Sequence, residues 1–232
     1  MMKDLEFLEH VIDQKSQMIL DANDRIWEYA ELAYHETRSA DLLCQILKDE
    51  GFSVTTGDAG IPTCFTGTFS YGSGKPVIGI LAEYDALTGL SQIAGSETRK
   101  ELVTDGNGHG CGHNLLGAGA MAAAFAIKKY LEEKGEGSGK VILYGCPGEE
   151  GAATKAFMAR DGVFAECDAA LTWHPGNVNQ VTSGTCNTCI QTEYKFTGVA
   201  SHAAGAPDKG RSALDAVELM NIGVQFLREH MP

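Results

Sequence analysis

One stretch of the sequence suits neither a helix nor a strand: Gly106-Asn107-Gly108-His109-Gly110-Cys111-Gly112-His113-Asn114. It sets a thiol and an imidazole two residues apart, Cys111 and His113, in a backbone that four glycines leave free to bend. A loop of that kind suits gripping a ligand, and thiolate with imidazole is a donor pair for zinc or a neighbouring first-row ion. Downstream lie the adjacent carboxylates of Glu149 and Glu150 and the imidazole of His174; upstream lie Glu83 and Asp85. Taken singly, each of these is more often a packed or solvated side chain than a ligand. Glu149-Glu150, however, is enclosed by Gly148 and Gly151 directly after an apolar run, a poor place for surface acids. One of the two could bind a metal while its neighbour, rotated away, takes a proton from water. The combination predicts metal-assisted hydrolysis.

For these residues to meet, the chain must bring distant loops to one edge. Leu5, Leu8, Ile12, Ile19, Ile26 and Trp27 recur near helical spacing and predict one or two helices up to Tyr34. Thr37 opens another, with Leu42, Leu43, Ile46 and Leu47 on one face and Gly51 as its stop. Phe52 to Thr55, Cys64 to Phe69 and Val77 to Leu81 read as strands, the last apolar enough for burial on both faces. Glu83 to Gly112 has no period, as expected of a functional loop. A helix from His113 to Lys134, a strand at Val141 to Tyr144, a helix over about residues 152–160 and a strand at Ala169 to Trp173 follow. That alternation predicts an α/β fold, a mainly parallel sheet flanked by helices. In such sheets ligands gather beyond the carboxyl ends of the strands. Glu83 and Asp85, Glu149 and Glu150, and His174 each follow one of these strands.

From about Val181 the pattern changes. Ile190 to Thr197 alternates as a half-exposed strand, Gly198 to Gly210 is a loop, and Ser212 to Arg228 is an amphipathic helix with Leu214, Val217, Leu219, Met220, Val224 and Leu227. The expected organisation is a catalytic, metal-binding domain over 1–182 and, over 183–232, the beginning of a smaller α+β lid or dimerisation domain.

A formal charge of −13, from 18 basic against 31 acidic residues spread along the 232-residue chain, disfavours nucleic acid and anionic membrane as partners. The N-terminus has no apolar leader, no run is long enough to span a bilayer, and seven cysteines without a framework spacing suit a reducing compartment, the cytoplasm. Competing motifs fail on context. Gly117-Ala118-Gly119 resembles a dinucleotide fingerprint but lacks a preceding strand, so it is read as small residues packing a helix onto a sheet. Cys186-Asn187-Thr188-Cys189 has no second pair and is read as two strand cysteines. Thr68 to Gly72 misses the first glycine of a serine nucleophile elbow. His10, His35 and His230 are read as surface residues on helical stretches.

Three motifs, His109-Gly-Cys-Gly-His-Asn-Leu-Leu-Gly117, Gly145-Cys-Pro-Gly-Glu-Glu-Gly151 and Leu171-Thr-Trp-His-Pro175, together resemble those of the dinuclear metal amidohydrolases and peptidases of the aminoacylase, hippurate hydrolase and auxin-conjugate hydrolase type. The resemblance runs over essentially the whole chain. It implies Cys111, His113, Glu150 and His174 as metal ligands, Glu149 as the general base and Asp85 as the acid that supports the site from behind. It also implies that His202, in Ser201-His202-Ala203, is presented by the smaller domain to a neighbouring subunit's site to polarise the scissile carbonyl. The implied cofactors are two divalent ions, Mn2+, Zn2+ or Co2+, and the implied partner is a related subunit, in a homodimer or a heterodimer. The implied reaction is cleavage of the amide joining an acyl or aroyl group to an amino acid, with p-aminobenzoyl-glutamate the leading substrate. Asn114 stands where hippurate and auxin-conjugate hydrolases have Asp, which weakens transfer of their substrates. Two ions want about five protein ligands. The chain offers four strong ones, so the resemblance further implies a histidine supplied from beyond residue 232 and little activity without it, Glu83 being the first alternative. The rivals are a dipeptidase of the same family and a non-catalytic metal-binding or partner subunit.

Overall fold

The computed structural model describes residues 2–134, 137–181, 184, 185, 188 and 190–231. The Cys186 and Cys189 pair therefore lies outside the described residues. The chain divides into two compact units, Met1–Val181 and Thr182–Pro232.

In the first unit, helices α1 (Met2–Gln14), α2 (Ser16–Tyr29) and α3 (Thr37–Asp49) precede strands β1 (Ser53–Thr56), β2 (Phe65–Tyr71) and β3 (Val77–Ala82). After a long loop come α4 (His113–Lys134), β4 (Gly139–Gly145), a short distorted helical turn α5 (Glu149–Ala152), α6 (Thr154–Arg160) and β5 (Ala169–Leu171). The single sheet has the order β1-β2-β4-β3-β5. Its β3-β4 and β3-β5 pairs are parallel and its β1-β2 and β2-β4 pairs antiparallel, so the sheet is mixed. The reason is connection length. The crossover through α4 spans enough chain to return β4 parallel to β3, whereas the links from β1 to β2 and from β2 to β3 are short and reverse the chain.

β4 is buried on both faces. Val141 and Leu143 pack into a cluster with Ile26, Leu43, Leu47, Phe65, Met121 and Phe125, while Ile142 and Tyr144 face Val77, Cys146 and Met158. Helices α2, α3 and α4 thus cover one face and α6 the other, which seals the sheet and leaves the carboxyl ends of β3, β4 and β5 at one edge. Small residues let α4 approach closely. A Cβ at Gly117 would lie 2.7 Å from the Glu83 carbonyl oxygen, and one at Gly119 would lie 2.8 Å from the Trp173 ring.

One carboxyl is sealed inside this unit. Glu36 is 0% exposed, and burial pushes its carboxyl from the ordinary 4.5 up to about 7. Hydrogen bonds from its own amide and that of Gly148 oppose the rise, and the Asp85 charge adds to it.

The second unit is built on helix α7 (Ala213–Gln225), which continues as a 3-10 turn over Phe226–His230. Ser212 caps α7, its hydroxyl accepting the Asp215 amide at 3.1 Å. The expected strand at Ile190 to Thr197 is not formed. Among the described residues of this unit the only β pairing is an isolated bridge between Val199 and Arg211, and without a partner ladder an alternating segment has nothing to satisfy its backbone. His35 sits in the loop before α3 and not on a helix; His10, on α1, is exposed as expected. No described helix is long and apolar enough to cross a membrane.

Two outcomes follow from this packing. Gly117→Ala gains helix propensity but drives a methyl against the backbone at the end of β3, which cannot yield as a side chain would. It should lower stability by about 1–2 kcal/mol, read as a reduced midpoint in denaturant unfolding. For Glu36, a raised carboxyl pKa means that the stability carried by its protonated form is complete below about 4.5 and is lost as pH rises through about 7. Glu36→Gln has no proton to lose. Its stability advantage over the parent should therefore grow by roughly 2–3 kcal/mol between pH 5 and pH 8 in urea unfolding of the metal-free protein.

Candidate metal centre

Asp85 lies just beyond the end of β3 and is fully enclosed. Its Oδ1 accepts the Nδ1 proton of His113 at 2.8 Å, and its Oδ2 accepts the Glu150 amide at 2.9 Å. Because a carboxylate only accepts, Nδ1 of His113 carries a proton, and in the neutral ring Nε2 is left as the lone pair. Nε2 is buried without a hydrogen-bond partner and faces Glu83 Oε2 at 3.1 Å, an oxygen in the same condition. Glu149 Oε2 lies 3.9 Å from the same nitrogen. The other oxygen of Glu83 is paired with Lys155 on α6.

Local sequence explains these placements. Tyr84, between Glu83 and Asp85, is buried, stacks on Phe65 with ring centroids 5.8 Å apart and donates its hydroxyl to the Thr63 carbonyl at 2.7 Å. Anchoring that ring in the core fixes the two carboxylates beside it. Gly112 adopts φ +85°, a conformation costly for other residues, and there the loop turns into α4 so that His113 becomes the helix's first residue. At the end of β5, Trp173 donates to the Leu116 carbonyl at 3.2 Å and rests against Gly119. That contact brings His174 to the loop: its Nε2 is 3.2 Å from Cys111 Sγ, and its Nδ1 donates to the Pro175 carbonyl at 2.9 Å. His174 therefore also presents Nε2 as an acceptor, and its ring stands edge-on to that of His113 with centroids 5.8 Å apart.

Two groups result in which donor atoms lie within 4.8 Å of one another, Cys111 with His113 and His174, and Glu83 with His113 and Glu149. They share His113. Glu150 is in neither. Burial first, and then the nearby carboxylates of Glu150, Glu149 and Glu83, push the Cys111 thiol up to about 11. On His113, burial is the largest single influence and pulls the pKa down, but Asp85, Glu83 and Glu150 together raise it. Nearby carboxylates contribute to both shifts, at Cys111 after burial and at His113 against it. Neutral imidazoles oriented through their other nitrogen, a thiol and carboxylates with a buried orphan atom fit a divalent cation. They would release protons to receive it.

Sequence reasoning brought together Cys111, His113, His174, Asp85 and both glutamates, and the structure places all six at this edge. Glu83 entered it only as a possible extra ligand, and Lys155 and Glu36 were not singled out, since a lysine on a short helix and a glutamate before one carry no motif. His109, at the head of the glycine loop, is buried; its Nε2 donates to the Ile26 carbonyl at 3.0 Å and burial lowers its pKa, so it ties the loop to α2 as a neutral ring. Asn114 is likewise occupied, donating to Asn23 Oδ1 at 2.8 Å. His202 belongs to the second unit, where its Nδ1 accepts the amides of Ala204 and Gly205 at 3.2 and 3.0 Å.

Comparison with known proteins agrees with this chemistry. The chain is 49% identical over 229 residues to a subunit of the p-aminobenzoyl-glutamate hydrolase of Escherichia coli, covering 97% of this chain and 46% of the relative. It is 30% identical to the mouse Xaa-Arg dipeptidase, covering 95% of this chain and 49% of the relative. It thus spans about half the length of the curated relatives it matches. Among solved structures, the aminobenzoyl-glutamate utilization protein of Klebsiella pneumoniae superposes with a TM-score of 0.60 at 19% identity, covering 89% of this chain and 57% of that one. A dinuclear metal-binding M20 peptidase from Bacillus subtilis gives 0.56 at 23%, covering 66% and 41%. Residues 79–224 match the peptidase family M20/M25/M40, and the chain belongs to that family.

Proposed function

We propose that this protein is a metal-dependent hydrolase that cleaves the amide between an acyl or aroyl group and an amino acid, with p-aminobenzoyl-glutamate the leading substrate. The observation that carries the reading is the buried, unpartnered His113 Nε2 facing an equally unpartnered Glu83 oxygen. Cys111, His113, Glu150 and His174 would hold divalent ions, two in number and drawn from Mn2+, Zn2+ and Co2+, with Glu83 as an additional donor. When bound, such ions act as Lewis acids towards the amide carbonyl and make water easier to deprotonate. Glu149, whose side chain is 41% exposed and so reachable by solvent, takes a proton from the attacking water as its oxygen adds to the carbonyl carbon. The same carboxyl then gives the proton to the departing nitrogen as the C–N bond breaks, releasing a carboxylic acid and a free amino acid. Asp85 keeps His113 in one tautomer. His202, whose Nδ1 is engaged by two backbone amides, keeps its proton on Nε2 and offers it to the carbonyl oxygen in a neighbouring subunit's site.

The proposed assembly is a homodimer or a pair with a related subunit, in keeping with a relative that is itself named as one subunit of a hydrolase. Five described cysteines are free thiols, which suits the cytoplasm. The similarity to Xaa-Arg dipeptidase supports dipeptides as the second substrate class. Turnover of p-aminobenzoyl-glutamate and of simple dipeptides, measured side by side with Mn2+, Zn2+ or Co2+ supplied, decides between them; hydrolysis of neither overturns the enzymatic reading.

Elemental analysis checks the ligand assignment, with His113→Ala and Glu150→Ala expected to lose metal. Glu149→Gln should keep its metal and lose about a hundredfold or more in kcat. Loss of metal in Glu149→Gln would instead make Glu149 a ligand.

A further inference from the structure

Glu36 stands immediately before α3, the position whose side chain ordinarily caps a helix, yet it makes no capping bond. Glu31 does that work, accepting the amides of Arg38 and Ser39 at 3.0 and 2.9 Å. The Glu36 side chain instead turns inward, where Oε1 accepts the Gly148 amide at 2.7 Å and Oε2 the Thr63 hydroxyl at 3.3 Å. Gly148 is itself buried, sits in the left-handed region at φ +60° and directly precedes Glu149. On the other side of Glu149, the amide of Glu150 is held by Asp85 at 2.9 Å. Buried carboxylates from distant parts of the chain therefore grip the amides on both sides of Glu149.

The turn has little else to hold it. Glu150 leaves helical geometry at ψ +84°, and Gly151 and Ala153 both have positive φ, so no regular helix fixes these amides. Glu149 is too exposed to be held by its own packing. We propose that Glu36 is a positioning residue for Glu149: by holding the Gly148 amide it fixes the turn from which the Glu149 carboxylate reaches the metal centre. This rests on the reading of Glu149 as the general base. Asp85 could not be separated from the metal site in the same way, because it also holds His113, whereas none of the groups that Glu36 touches, the Gly148, Tyr34 and Glu36 backbone and the Thr63 hydroxyl, is a proposed ligand.

The test compares two replacements that fill the same space and differ in having an acceptor. Glu36→Gln can still accept the Gly148 amide; Glu36→Met cannot. Glu36→Met should lower kcat about tenfold or more, by the usual cost of misplacing a catalytic group. KM and metal content should stay within about twofold of the parent, and Glu36→Gln should restore most of the rate. Amide hydrogen exchange of the metal-free protein supplies a readout that needs no turnover. The peptide spanning residues 146–152 should be protected in the parent and in Glu36→Gln and exchange faster in Glu36→Met, with the Leu42–Leu47 stretch of α3 unchanged. Equal exchange in the two variants, or equal loss of kcat in both, overturns the proposal. Should Glu36→Met fail to fold, rapid exchange of the 146–152 peptide in the parent would overturn it alone. If the exchange pattern holds but no amide is hydrolysed, the hydrolase reading fails and the hold of Glu36 on the turn survives.

Discussion

The arrangement depends on one buried carboxylate. Asp85 leaves the end of β3, accepts the His113 proton from the start of α4 and accepts the Glu150 amide from α5, so a single side chain ties three elements that are far apart in sequence. The Asp85 side chain is sealed from water, so its bonds are stronger than at a surface and costly to leave unmade. By taking the Nδ1 proton, Asp85 also decides which nitrogen of His113 is free. The orientation of the imidazole and the path of the acidic turn are thereby set together.

Around that carboxylate the protein concentrates like charge. Glu83, Glu149, Glu150 and the Cys111 thiol crowd one edge, with Asp85 and Glu36 behind them. Burial first, and that charge after it, push the Cys111 thiol up to about 11 and the Glu36 carboxyl to about 7. Lys155 offsets part of it at Glu83. Buried charge of one sign is retained where something of the opposite sign is to be received. The fold supplies the walls for this through its doubly covered parallel strands, whose carboxyl ends open on the same side, and through glycines that let α4 lie against the Glu83 carbonyl.

Backbone placement in this site is done largely by side chains. The glycine loop is anchored by His109 on the Ile26 carbonyl and by Asn107 on the Ala30 carbonyl at 3.2 Å, and the acidic turn by Asp85 and Glu36. A segment such as 83–112, almost without regular pairing of its own, can then hold an ordered path. Backbone bonds add to those anchors: the Ala86 amide donates to the Glu31 carbonyl at 2.8 Å, and Leu87 and Gly108 exchange two bonds at 3.0 Å.

Much of this was legible in the residues themselves. Helix α4 begins and ends where its pattern does, Gly51 stops the chain after α3, and the three motifs name the edge at which Cys111, His113, the glutamate pair and His174 converge, because local periodicity and strand-end position are properties of short stretches. Sequence could not tell that β1 and β2 would depart from the parallel pattern, since direction follows from which strand β4 pairs with and not from composition. Nor could it tell that Ile190 to Thr197, despite its alternation, would find no ladder. The placement of the adjacent carboxylates was beyond it too: Glu149 groups with His113 and Glu83, and Glu150 lies in neither group. Glu36 was invisible for the same reason. Its neighbours in the chain are helix-start residues, and only folding brings it to an amide 112 positions away, where burial raises its pKa and gives it a partner. Types and spacing determined which chemistry was available; the tertiary structure decided which atoms face one another, because hydrogen-bond partners and desolvation are set by distance in space and not along the chain.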